Sequence, residues 1–131
     1  MRTKLLLTVV ALAVSGAMLP PGNAVGATQP RAATTVTIKA QNGDFSGTIS
    51  SPHPKRCANN RTVNVYHQKG AVQNLKVDTK IASDTSSLNG DRYEWETGNT
   101  GAPNGKYYAR AVQTPLCKAD SSKTVKSVKN P

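Results

Sequence analysis

The residues of this 131-residue chain that could do chemistry are few: two cysteines, two histidines, seven acids and an excess of lysine and arginine. Cys57 and Cys117 could form one disulfide or stay as two thiols, and His53 and His67 could act as bases or metal ligands. Nucleophilic catalysis of the Ser-His-Asp kind needs a base held by an acid and a serine on a strained turn, and no Gly-x-Ser-x-Gly elbow occurs. His67 falls in phase with Val63 and Val65 in an alternating segment, which places it on the core side of a strand. His53 stands between Pro52 and Pro54 beside Lys55 and Arg56, a cationic loop better suited to ligand contact than to proton transfer. The two histidines match no zinc spacing. The segment from Asp84 to Asp91, with Glu94 and Glu96 beyond it, offers oxygen ligands but not the ligand order of an EF-hand. Asx residues in turns bond their own backbone and explain this segment without calcium. No catalytic residue, metal or cofactor is expected. Asn60-Arg61-Thr62 spells a glycosylation sequon, a pattern short enough to recur by chance.

Charge is the feature with functional reach. Lys and Arg total 17 against 7 Asp and Glu, a net charge of +10. Lys55, Arg56 and Arg61 bracket Cys57, while Lys118 and Lys123 follow Cys117. A bond between the cysteines would draw these five candidate anion-binding cations toward one end of the molecule, and Lys126 and Lys129 would extend the set. Such a cluster attracts an anionic cell-surface or wall polymer, acidic polysaccharide, extracellular nucleic acid or anionic lipid headgroups. The competing reading is a solubilising surface, because lysine outnumbers arginine. The basic clusters lack interleaved aromatics to stack bases, which argues against a dedicated nucleic-acid reader.

The amino terminus supplies the compartment. Met1-Arg2-Thr3-Lys4 is a basic start, Leu5 to Leu19 an apolar run ended by Pro20-Pro21, and Val25-Gly26-Ala27 a small-x-small cleavage pattern. That order is the anatomy of a secretory signal peptide, residues 1–27. The run is shorter than the roughly 20 residues a spanning helix needs, so no membrane span is expected. Cleavage after Ala27 would leave 104 residues (131 less 27), and losing Arg2 and Lys4 would lower the net charge from +10 to +8. In an exported, oxidised chain the two cysteines are expected to pair. A bond closing a loop of about 60 residues stabilises by roughly 4 kcal/mol on the chain-entropy model.

The elements that must position these residues read as strands. Residues 28–34 look like a flexible lead-in, and 35–131 like a single β-sandwich domain. Period-2 alternation marks Val36–Ala40, Phe45–Ile49, Thr62–His67, Leu75–Ile81, Tyr93–Thr97, Tyr107–Val112 and Thr124–Val128. Turn signals fall between them at Asn42-Gly43, Asn89-Gly90 and Asn104-Gly105. No helical periodicity lasts beyond one turn. The expectation is an all-β fold: a seven-stranded antiparallel Greek-key sandwich, immunoglobulin-like or prealbumin-like, with one disulfide clamping two loops at one end.

Phe45-x-Gly47-x-Ile49-x-Ser51, then Cys57, then Arg61-x-Val63-x-Val65-Tyr66 resembles the opening of transthyretin-like (prealbumin-like) domains, also called carboxypeptidase regulatory-like domains. Ala82-Ser83-Asp84, Gly90 and Tyr93-x-Trp95 are similar to their Thr-Asp-x-x-Gly-x-aromatic turn, here lengthened. Gly105-Lys106-Tyr107-Tyr108-Ala109-Arg110-Ala111 followed by Cys117-x-Ala119-x-Ser121 is similar to a small secreted bacterial variety. The resemblance implies a rigid accessory module with a structural or protein-interaction role, whose partner would be another secreted protein. It does not extend to the hydroxyisourate hydrolases of that superfamily: their terminal Tyr-Arg-Gly-Ser is replaced by Lys129-Asn130-Pro131.

Overall fold

Alternating residues need two layers to bury one face each, and the chain supplies two antiparallel sheets. A computed structural model describes residues 29–131, and the expected signal peptide lies outside them. The strands are β1 (Thr35–Val36), β2 (Lys39–Gln41), β3 (Asp44–Ser50), β4 (Thr62–Gln68), β5 (Thr79–Thr85), β6 (Ser87–Asn89), β7 (Arg92–Asn99), β8 (Gly105–Ala111), β9 (Asp120–Ser121) and β10 (Val125–Ser127). One sheet runs β1-β3-β7-β6 with β2 also on β3; the other runs β10-β8-β4-β5 with β9 also on β8. The chain crosses between sheets from β3 to β4, from β5 to β6 and from β7 to β8, as a Greek-key sandwich requires. Phe45, Ile49 and Trp95 from one sheet meet Val63, Val65 and Tyr107 from the other in the core. Phe45 and Tyr107 pack with ring centroids 4.8 Å apart.

The expected all-β sandwich and its disulfide are present, with revisions in detail. The first strand is broken in two, as β1 with β2, while the last is shortened to β10 and is preceded by a short strand, β9, that was not expected. The break in the first follows from a close approach. A side chain at Gly47 would collide with the Thr37 carbonyl, so only glycine lets the two strands pack there. The fourth strand is displaced from Leu75–Ile81 to Thr79–Thr85. Leu75 and Val77 alternate as a strand would, but Asp78 draws the backbone of Lys69 and Asn74 into a closed loop before pairing with β4 begins. A short strand, β6, escaped the alternation rule because all three of its residues are exposed.

Two further expectations change. Helix is not wholly absent: Pro54–Cys57 forms one turn, α1. Proline at its start is already set to the helical φ and has no N–H to leave unpaired. The lead-in is docked rather than loose from Ala32 onward. The Ala32 amide donates to the Leu116 carbonyl at 2.9 Å, and the Lys118 amide donates to the Ala32 carbonyl at 2.8 Å.

Candidate anion-binding site at the disulfide end

Cys57 closes α1 and Cys117 lies on the segment after β8; the two are bonded, with Cα atoms 5.5 Å apart. The α1 turn leaves Lys55 and Arg56 exposed beside the bridge. Opposite them, the segment Thr114–Cys117 folds on itself, the Cys117 amide donating to Thr114 Oγ1 at 3.0 Å. Between the two runs a cavity of about 480 Å³, lined by Lys55, Arg56, Asn59, Asn60, Pro115 and Leu116 among others. Lys118 follows Cys117 directly and is exposed. Arg31 joins this end from the docked lead-in, its exposed guanidinium donating from Nε to the Thr114 carbonyl at 3.1 Å.

Of the five cations expected here, Arg61 is turned inward. It is 2% exposed. Its Nη1 donates to the Cys57 carbonyl at 2.7 Å and to Thr34 Oγ1 at 3.0 Å. Its Nη2 donates to the carbonyls of Val112 at 2.6 Å and Lys118 at 3.2 Å. Burial lowers the guanidinium pKa below its ordinary value. The side chain therefore serves the framework beneath the cavity rather than an approaching anion. Lys123 separates from the cluster in another way. It stands between Ser122 and Thr124, both bonded by the Gln73 amide, on the part of the second sheet covered by residues 69–78. The disulfide thus gathers Lys55, Arg56 and Lys118, and the fold adds Arg31.

Sequence reasoning missed two residues that hold this end. Ser86, buried where the chain passes from β5 to β6, fixes the turn ahead of β4. Its Oγ accepts from the Arg61 amide at 2.9 Å and donates to the Ala58 carbonyl, while its own carbonyl accepts from the Asn60 amide at 2.9 Å. Thr34 is buried and supplies one acceptor for Arg61. Neither has a motif. No signal in the sequence could have found Ser86, which stands in the unbroken polar run Thr85-Ser86-Ser87.

The electrostatic setting is uncompensated. Among the described residues the one ion pair is Arg92 with Asp91, at 4.0 Å and well exposed. A larger cavity, about 550 Å³, lies on the first sheet and brings Asp84, Glu94 and Glu96 near Lys39 and Arg92. Two of its three carboxylates are already engaged: Asp84 accepts from the Glu96 amide and Glu94 from the Asn89 side chain, both at 2.7 Å. Among the described residues no three His, Cys, Asp or Glu converge as metal ligands would. His67 stacks on Tyr107 at 4.8 Å, and burial followed by nearby Lys69 lowers its pKa against an opposing pull from Asp78. No family model matches the chain, and no curated protein matches it.

Proposed function

We propose that this chain is a secreted, non-enzymatic β-sandwich module of the transthyretin-like kind that binds anionic extracellular polymers through its disulfide end. The observation that carries the reading is the grouping of exposed Lys55, Arg56, Lys118 and Arg31 at the disulfide end, where Lys55 and Arg56 line an open cavity and none of the four is paired with a carboxylate among the described residues. Cations without local partners keep their field for an incoming polyanion, and a rigid frame spares them ordering on contact. The disulfide suits an oxidising compartment, and among the described residues no helix is long and apolar enough to cross a membrane.

The test is retention on immobilised heparin across a salt gradient. The parent protein is expected to elute above physiological ionic strength, about 0.15 M. The double variant K55E/R56E should elute well before it with an unchanged thermal midpoint, since both side chains are exposed. Elution of the parent below physiological ionic strength, or indifference to the double substitution, overturns the reading.

A further inference from the structure

The segment between β4 and β5, residues 69–78, inverts the usual order of a surface loop. Two of its polar side chains, Gln73 and Asp78, face the second sheet. The Asp78 carboxylate accepts from the Lys69 amide at 2.9 Å, the Asn74 amide at 2.6 Å and the Tyr108 hydroxyl at 2.8 Å. The Gln73 side chain donates to the Ser122 carbonyl at 2.8 Å and to Thr124 Oγ1 at 2.9 Å. The Asn74 Oδ1 accepts from the Lys76 amide, and Lys106 Nζ donates to the Gly70 carbonyl. Its aliphatic side chains face solvent instead: Val72 is 72% exposed, Leu75 46% and Val77 58%. A loop so fully tied down could have hidden these side chains, and the bonds that fix it are what present them.

Charge completes the pattern. Lys69 and Lys76 belong to the loop and Lys80 to the strand that follows, all exposed. The one acid in the segment, Asp78, is buried and engaged. What the loop offers outward is therefore aliphatic and cationic together. It springs from the Gln68 end of β4, whereas the disulfide end adjoins Thr62, so it is a separate surface.

We infer that this loop is a contact for an anionic lipid bilayer. Val72, Leu75 and Val77 enter the interfacial layer while Lys69, Lys76 and Lys80 meet the headgroups. A soluble polyanion has no use for exposed aliphatics, and anionic lipid offers both an apolar layer and a negative surface. A protein partner is disfavoured by composition, because binding hot spots favour Trp, Tyr and Arg, and interfaces are depleted in Lys. The loop presents Val, Leu and Lys.

The experiment is co-sedimentation of the protein with vesicles of equal parts phosphatidylglycerol and phosphatidylcholine, against phosphatidylcholine alone. The parent should bind the mixed vesicles and not the neutral ones. L75S/V77S should weaken binding about tenfold with the thermal midpoint unchanged. K69Q/K76Q should weaken it by about 25-fold, roughly fivefold for each lysine. K55Q/R56Q, which removes the same two charges from the disulfide end, should weaken it far less than K69Q/K76Q, which separates the two surfaces. Absence of binding by the folded parent overturns the inference. So does equal loss with K55Q/R56Q, indifference to L75S/V77S, or loop-dependent capture of an acidic protein without vesicle binding.

Discussion

Arg61 is bonded to the backbone of Cys57, its Nη1 donating to the cysteine carbonyl at 2.7 Å. Through Nη2 the same guanidinium reaches the carbonyl of Lys118, one residue beyond Cys117. Arg61 therefore joins by hydrogen bonds the two segments that the disulfide joins covalently. A buried cation is tolerable only when its donors are met, and here Thr34, Cys57, Val112 and Lys118 meet four of them. The frame they form lies beneath the cavity that Lys55 and Arg56 line, and its Lys118 carbonyl belongs to the next exposed cation.

Replacing Arg61 by Met keeps much of its bulk and leaves three carbonyls, those of Cys57, Val112 and Lys118, without that donor. At about 1 kcal/mol for each lost bond, the fold should weaken by about 3 kcal/mol. For a domain of this size the thermal midpoint should fall by more than about 10 °C, measured by circular dichroism. R61K, which can satisfy only some of the acceptors, should fall between the two. An unchanged midpoint in R61M would show that the hydrogen-bonded clasp contributes nothing.

The double substitution C57A/C117A should leave the native Trp95 fluorescence spectrum intact while lowering the urea midpoint. Trp95 sits in the core among strands, and Arg61 with the Ala32 bridge still holds the loops together. The loss arises in the unfolded chain, which regains the freedom of a 60-residue loop worth up to roughly 4 kcal/mol. Combining it with R61M should cost more than the sum of the separate effects, because each cross-link supports the other. Simple additivity would show that the two act on independent parts of the structure.

Stability should decline in acid through two groups in turn. His67 has a lowered pKa in the fold, from burial first and Lys69 next, so folding disfavours its protonation. Its contribution is complete above the unfolded value of about 6.5 and falls as the pH drops below it. Burial raises the Asp78 carboxyl, but the Asn74 and Lys69 amides, the Tyr108 hydroxyl and nearby His67 outweigh it and leave the pKa lowered. Its contribution is present above the unfolded value of about 3.9 and is lost as the pH falls through the lower folded one. Urea midpoints taken at neutral pH, near pH 5 and near pH 3 should step down twice. D78N should start lower and lose the second step. A parent midpoint flat below pH 4 would rule out this role for Asp78.

Much of the fold was legible because a sandwich strand announces itself in two-residue alternation. Val63 and Val65 on β4, and Phe45 and Ile49 on β3, face the core as their spacing requires. The same rule failed at Leu75 and Val77, where alternation occurs in a loop whose shape is set by Asp78, Asn74 and Tyr108. Periodicity records which residues could share a face, and hydrogen bonds between distant parts decide whether that face exists. The candidate site divided along the same line. Lys55, Arg56 and Lys118 were placed by proximity to the cysteines. Arg61 was misplaced because no local pattern reveals that carbonyls from Val112 and Lys118 converge on it.

By itself the sequence determined the all-β class, the pairing of its two cysteines and the excess of positive charge. These follow from composition, period and count, which need no partner elsewhere in the chain. Only the tertiary structure decided which cations face solvent and which is buried, that Arg31 joins the disulfide end, and that residues 69–78 turn their aliphatic side chains outward. Each of those depends on acceptors or packing surfaces tens of residues away. Sequence distance carries no record of such contacts, and folding alone brings them together.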